Sequence, residues 1–572
     1  MHTPSLGPIV IFHVLAPAVR LLGFAQRKPK LLLFIIPTMF SPVLLLIFLL
    51  AAILFKLLSD AFKKRKISAE ASARGCASLP ILPRKGFLGL GRLSEISKAN
   101  KEGRSPQWFI EKFDEIGKDV HTFKASALDY ELIVTRDPEN AKAMFSTQSR
   151  NFEISPHRRD IWSPLLGDGI FTAQGEQWKH SRQLLRPQFS RNQISDLDLE
   201  EQHIQSLLNL EVLKSGEQGW TQHIDLAPLF LNFTLDVATE FLYGRSVNSQ
   251  SAHNPDINKG IELDSGFSYH LDAGKSWLYT KGLFGRWNRL VYSPQLTKHC
   301  KEVHRFVDEL VVGKLNQPAK LNADSDRFCL LNELAKSTQN PLELRNETLQ
   351  ILNAGRDTTG ALLGWVFYFL VRNNRVFDKL RGIILTDFGR DRTGEIIFEK
   401  LKQCQYLNHC IQETLRVASV VPINERVCTS DTTLPRGGGE DKLQPVFLRK
   451  GQRVLIVNHA MQHRSDLWGP DVDEFKPERW EKRIAGFEFV PFAAGPRKCI
   501  GRKSWKLISQ SLTLMLAAEQ FALTETAYVI IRFLQRFDKI ENSEEPGPPF
   551  FQYIFSNRSG TGVQVRLHEA DT

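Results

Sequence analysis

Phe492-Ala-Ala-Gly-Pro-Arg-Lys-Cys-Ile-Gly501 contains the residue with the most demanding chemistry in this chain, Cys499. A thiol gains function as a thiolate, and a thiolate is stabilised by nearby positive charge, by amides at a helix start, or by a metal. Arg497 and Lys498 precede the cysteine, and Gly495 and Gly501 leave the backbone free to bend against a flat partner. No second Cys or His stands at zinc-ligand spacing, which argues against structural zinc. A single thiolate on a glycine-rich loop suits an axial ligand to haem iron, where its electron donation favours O–O cleavage. Taken by itself, Cys499 reads more often as a buried structural cysteine.

The surrounding chain narrows the choice. With 572 residues, 42% hydrophobic and 10% aromatic, it has ample material for a large core and no sign of global disorder. Its 7 cysteines, at positions 76, 300, 329, 404, 410, 428 and 499, show no paired spacing and suit a reducing, cytosol-facing compartment. The net charge of +11 favours an anionic membrane or an acidic partner protein. It is spread along the chain without a basic repeat, so no nucleic-acid partner is expected.

From Leu31 to Phe55 no residue carries a charge. At about 1.5 Å per residue that run exceeds a hydrocarbon core of roughly 30 Å. Pro37 and Pro42 place the start of regular helix near Pro42, or a bend there. No small-residue cleavage site closes the run, which disfavours a signal peptide. Lys56 and Lys63-Lys-Arg-Lys66 follow it, so this end should face the cytosol, although Arg20, Arg27, Lys28 and Lys30 flank the other end. Pro8 to Val19 is apolar but too short to span.

Farther on, Tyr130–Thr135 reads as a strand, and Asp137-Pro138-Glu139 starts a helix with a cap and a first-turn proline. Trp178 and Arg182 stand four apart in a helical stretch and share one face. An indole N–H with a guanidinium suits anionic carboxylates, although an ordinary surface cation–π pair is the commoner reading of these two alone. Phe230 to Leu315 looks mostly helical and partly buried. Asn340-Pro341-Leu-Glu343 opens a long helix that runs through Ala354-Gly-Arg-Asp-Thr-Thr359 into an apolar tail. In a buried helix glycine costs about 1 kcal/mol, and Asp and Thr bond backbone groups and loosen the turn. A loosened turn holding Asp357 beside Thr358 can carry protons. Glu413 and Arg416 share a helical face, by itself a weak signal.

As a whole the loop reverses the structural reading of Cys499. Phe492-x-x-Gly495-x-Arg497-x-Cys499-x-Gly501 resembles the haem-binding signature of the cytochrome P-450 superfamily. Ala354-Gly355-x-Asp357-Thr358-Thr359 resembles its oxygen-activation motif, and Trp178-x-x-x-Arg182 its propionate-binding pair. Glu413-x-x-Arg416 with Arg479, in Phe475-Lys-Pro-Glu-Arg-Trp480, resembles its structural charge triad. The resemblance spans roughly residues 75 to 570. Gly285-Arg-Trp-Asn-Arg-Leu-Val-Tyr-Ser-Pro294, His304-Arg-Phe-Val-Asp308 and Leu434-Pro-Arg-Gly-Gly-Gly439 resemble the fungal n-alkane and fatty-acid hydroxylase branch.

It implies a mainly α fold, a large helical lobe with a smaller β-rich lobe, tethered by one N-terminal transmembrane helix. It also implies haem b (iron protoporphyrin IX) on Cys499. Trp178, Arg182, Arg426, Phe492 and Arg497 would hold that group, and Asp357 and Thr358 would serve dioxygen activation. NADPH–cytochrome P-450 reductase is the implied electron donor, and the implied reaction is hydroxylation of a lipophilic long-chain alkane or fatty acid at or near its terminal carbon. The implied location is the endoplasmic reticulum membrane, single-pass, with a cytosolic body. The expected division is an N-terminal extension (1–30), a transmembrane helix (31–58), a basic and Pro/Gly linker (59–105) and a haem-thiolate monooxygenase domain (106–572). Two rivals remain: a haem-binding membrane protein without turnover, and a haem-thiolate isomerase or dehydratase acting on hydroperoxides. An intact Asp357–Thr358 pair disfavours the second.

The chain departs from the family pattern after Gly501. Arg502 to Ala518 stand where two residues usually separate that glycine from a Phe-Ala pair, here Phe521-Ala522. We read them as a retained intron. The runner-up is a true insertion that loops out or lengthens the helix, since Trp505, Ile508, Leu512 and Met515 have helical spacing. If the segment starts the helix, Phe521 and Leu523 are carried away from their core contacts, and haem binding weakens.

Overall fold

The computed structural model describes residues 42–86, 89–127, 130–189, 197–216, 218–253, 265–282, 284–291, 293–316, 328–500, 520–545 and 547–571. They divide into two units, Met1–Gly75 and Cys76–Thr572. In the first, helix α1 (Pro42–Ala73) begins at the proline where the sequence places a helix start. Leu46, Phe48, Phe55 and Phe62 are exposed along it. Among the described residues no helix is long and apolar enough to cross a membrane; residues 31–41 of the expected span lie outside them.

Regular structure replaces much of the expected 59–105 linker. Helix α1 continues through the Lys63–Lys66 run, and α2 (Leu90–Lys101) forms inside the supposed linker. Ile81 pairs with Lys124, and Leu82 is buried in a cluster with Phe109, Phe113 and Phe123. That burial fixes the chain well before residue 106.

A five-stranded sheet is built from β1 (Thr122–Ala127), β2 (Tyr130–Thr135), β3 (Phe152–Glu153), β4 (Ile423–Cys428) and β5 (Arg453–Val457), in the order β1-β2-β5-β4-β3. Within it only β2 and β5 run parallel. Val454 and Ile456 enter one apolar cluster and Leu455 and Val457 another, the two-residue alternation of a strand covered on both faces. Register sets Glu153 opposite Val427, one residue from Arg426.

The helices that frame the site are α3 (Pro156–Leu166), α4 (Gly175–Leu185), α5 (Leu226–Tyr243), α6 (Ser265–Gly282), α7 (Pro294–Leu315), α8 (Pro341–Leu370), α9 (Gln405–Val417) and α10 (Gln520–Arg536). Helix α8 is the axis. Asn340 caps it, its side chain accepting from Leu342 N and Glu343 N at 3.0 and 3.4 Å. Leu349, Leu352, Leu363, Trp365, Phe367 and Leu370 are all buried, as in a helix enclosed on every side. Phe367 meets Phe230 of α5 with ring centroids 5.1 Å apart. Gly360 permits that approach, because a Cβ there would stand 2.8 Å from Leu231 Cδ2 and 3.3 Å from Leu231 Cα. The second unit is therefore mainly helical, with the sheet set to one side.

Candidate active site

The cysteine loop leaves the sheet-side core and turns back on itself. Cys499 N donates to Phe492 O at 3.1 Å, and Lys498 N donates to Gly495 O at 3.2 Å. Gly495 has φ +70°, and any Cβ there would lie 1.5 Å from the Phe145 carbonyl oxygen. Backbone against backbone, that site admits no side chain. Phe492 and Ile500 pack on the main core while Ala493 and Ala494 pack on the sheet cluster, so the loop bridges the two. Cys499 itself is exposed, whereas Cys300, Cys329, Cys404, Cys410 and Cys428 are buried.

Around this loop the fold gathers arginines. Arg182 on α4 donates from Nη1 to Lys498 O at 3.1 Å. Arg497 donates to Ala173 O at 3.1 Å, pairs with Glu153 at 2.5 Å, and lies 4.2 Å from the Trp178 ring centroid. Arg426, buried on β4, lies over the Phe145 ring at 5.3 Å. Burial, helped by the charges of Arg158 and Arg497, brings Arg426 down to about 9. Burial likewise brings Arg497 down to about 10, with Glu153 opposing and Arg158 and Arg182 adding repulsion. Of the nearby carboxylates, Glu425 is held by Arg453 through two contacts of 2.6 Å. Arg158, Arg182, Arg426 and Arg497 thus crowd together with too little negative charge among the described residues. A partner bearing two carboxylates relieves that repulsion. The donor set fits a flat group with two acidic arms above an accessible thiol.

Helix α8 passes its Gly355–Thr359 stretch without a break, so the loosened turn expected there is absent. Side-chain hydroxyls bond its carbonyls instead of interrupting it. Thr358 Oγ1 donates to Ala354 O at 2.6 Å, Thr234 Oγ1 to Arg356 O at 3.0 Å, and Ser556 Oγ to Asp357 O at 3.1 Å. The Asp357 carboxylate takes Lys275 Nζ at 2.6 and 2.8 Å and Arg356 Nη1 at 3.2 Å. Asp272 completes the group, 2.8 Å from Lys275 and 2.6 Å from Arg356. Burial pushes Asp272 up, but Lys275 and Arg356 outweigh it and hold that carboxyl well below the usual range. Asp357 and Thr358 are neighbours in sequence that engage different partners.

Glu413 and Arg416 of α9 are fully buried and joined by contacts of 2.8 and 2.9 Å. Arg479 reaches Glu413 at 3.3 Å, and Trp480 Nε1 and Lys476 N donate to it at 2.9 and 3.0 Å. Arg416 also donates to the carbonyls of Val472, Glu474 and Gln462 at 2.7, 3.0 and 3.2 Å. Every charge in this interior network has partners, the condition under which a buried pair persists.

The cytochrome P-450 family model matches residues 98–561. The chain belongs to the cytochrome P-450 family. It is 40% identical over 523 residues to cytochrome P-450 monooxygenase g430 of Fusarium sp, covering 90% of this chain and 88% of that protein. It is 37% identical over 522 residues to cytochrome P-450 52A13 of Debaryomyces hansenii, covering 89% and 96%. With cytochrome P-450 monooxygenase alt2 of Alternaria solani the identity is 36% over 519 residues, covering 87% and 91%. This cytochrome P-450 is a monooxygenase, and haem is its cofactor. When bound, that group supplies the reaction with dioxygen.

Residues 501–519 of this cytochrome P-450, including Arg502 to Ala518, lie outside the described residues. The helix beyond them corrects one expectation. Helix α10 begins at Gln520, Phe521 meets Phe241 with ring centroids 5.2 Å apart, and Leu523 packs on the main core. Neither residue is carried away. Val529, Ile530, Phe533 and Leu534 are buried along α10, and a shift of the helix would turn that face out of the core.

Three participants escaped the sequence reading: Arg158, Glu153 and Lys275. Ser155-Pro156 is a helix-start signal that would have put Arg158 in a first turn. Lys275 had a fainter one, a lysine three residues after Asp272 and so on the same helical face.

Proposed function

We propose that this cytochrome P-450 hydroxylates long-chain n-alkanes or fatty acids at or near the terminal carbon. NADPH–cytochrome P-450 reductase supplies its electrons at the endoplasmic reticulum membrane. The observation that carries the site assignment is the arginine cluster around the exposed Cys499 thiol. In this reading Cys499, held by the loop's own backbone bonds, would supply the thiolate that holds the haem. Arg182, Arg426 and Arg497, with Trp178, hold the two propionates, and Arg158 adds its charge. Phe492 would add apolar contact to the haem group. Asp357 and Thr358 would hold and move protons, with Lys275 keeping the Asp357 side chain in place. Glu413, Arg416 and Arg479 keep the floor of the site rigid.

Substrate class rests on the motifs between Gly285 and Asp308 and at Leu434–Gly439, and on the kinship with 52-type cytochromes P-450 of yeasts. For the membrane, the uncharged run Leu31–Phe55 and the exposed apolar residues of α1 support one crossing near 31–58, with Lys63–Lys66 on the cytosolic side. The test is turnover by the full chain with reductase, NADPH, and n-hexadecane or hexadecanoate. Terminal or near-terminal alcohols support the reading, and oxygenation confined to other compound classes overturns the substrate assignment.

A further inference from the structure

Between α6 and α7 the chain encloses a concavity that the chemistry above leaves unused. It has a volume of 410 Å³, within the range of small-molecule sites though near its lower end. Pro164 at the end of α3, Val291 and Leu296 supply apolar wall, while Lys281, Arg289 and Lys301 bring three cations to the same space. Cys300 adds a neutral wall, since burial pushes its thiol up to about 11.

Charge in this concavity is poorly balanced. Arg289 reaches Asp160 at 3.0 and 3.1 Å, but both side chains are exposed, and such pairs contribute little and exchange readily. Among the described residues no carboxylate pairs with Lys281 or Lys301. His304 adds no charge, because burial lowers its pKa and outweighs the opposing hydrogen bond to Leu165 O at 2.8 Å. Thr297 brings a hydroxyl from the first turn of α7, where the helix's positive end also opens. Cations over an apolar wall match an anion carried on an aliphatic chain.

We propose that the Lys281–Arg289–Lys301 concavity binds the anionic head, carboxylate or phosphate, of a long-chain amphiphile. The proposal rests on the reading that this enzyme handles long-chain lipids, but binding can be measured without turnover. The experiment is equilibrium binding to the full-length protein in phosphatidylcholine nanodiscs, comparing wild type with Lys281→Gln/Lys301→Gln. The probes are hexadecanoate, n-hexadecane and labelled dioleoyl phosphatidate. If the head is a fatty-acid carboxylate, the variant binds hexadecanoate about tenfold more weakly and n-hexadecane unchanged. If it is a lipid phosphate, hexadecanoate is unaffected and phosphatidate binding falls about tenfold. In either case Lys281→Arg/Lys301→Arg restores affinity, and salt weakens wild type more than the Gln variant. Unchanged binding of both anions, or an equal loss for n-hexadecane, overturns the proposal. A melting curve matching wild type confirms that the variant is folded. Failure of the hydroxylation assay with intact anion binding would count against the reaction assignment alone.

Discussion

Lys275, packed on α8, and Glu347, on α8 itself, are both buried, with opposite consequences. Lys275 Nζ meets both Asp357 oxygens, at 2.8 and 2.6 Å, in the interior. Lys275→Met strands the carboxylate, and breaking a buried pair costs about 3–5 kcal/mol. The lower end is expected, because Arg356 remains 3.2 Å away. Urea unfolding should show that loss and show most of it regained in Lys275→Met/Asp357→Asn; equal stability of all three proteins would dismiss the network. Glu347 is the reverse case. Burial pushes it from 4.5 to about 7, against hydrogen bonds from Ser181 and the Ile170 amide and with Glu343 nearby. Between those two values the folded protein keeps a proton that the unfolded chain has released, so stability falls as pH rises through the window. The full effect is about 3 kcal/mol at most. Glu347→Gln should flatten the stability profile between about 4.5 and 7 and raise stability at pH 8; a profile that keeps its slope contradicts this.

Within elements, local signals were legible and long-range partnerships were not. Asp137-Pro138 and Asn340-Pro341 start helices as their cap chemistry dictates, and Tyr130–Thr135 is a strand. Each is decided by neighbours in sequence. Lys275 and Asp357 stand 82 positions apart, so their pairing depends on how α6 crosses α8, and no local pattern encodes that. The same holds for Arg158 beside Arg426. Regularity of α8 through Thr359 was misjudged for a related reason. Thr234 and Ser556, from distant segments, bond its carbonyls, so the turn need not open. The α9 network belongs to this scale too. Glu413→Gln removes one charge from a wholly buried pair and leaves Arg416 uncompensated, at a cost of about 3–5 kcal/mol, while Arg479 keeps Asp471 at 2.7 Å. Thermal melting should fall by many degrees before any haem-dependent property is assayed. An unshifted melt would mean that the carbonyls of Val472 and Glu474 suffice for Arg416.

At the scale of the molecule, a resemblance over most of the chain placed the fold, the cofactor and the family together, while the boundary near Cys76 needed the buried Leu82 to locate it. That boundary makes a prediction. Removing Met1–Gly75 deletes α1 whole and leaves every apolar cluster of the second unit intact. The truncated protein should stay folded and leave the membrane pellet after a high-salt wash; retention in the pellet would locate a second membrane-binding surface in the body. Whether residues 502–518 are translated is settled by sequencing the message, and the placement of Phe521 already keeps α10 in its core position. The central claim is that Cys499 ligates haem iron as a thiolate. The reduced, CO-bound optical spectrum of the full chain, compared with Cys499→Ser, addresses it most directly, because a neutral hydroxyl is a far poorer donor to iron. Thiolate ligation predicts the thiolate-type band in wild type and its loss in the folded variant. The same band in both proteins, or haem bound to wild type without it, would contradict the assignment.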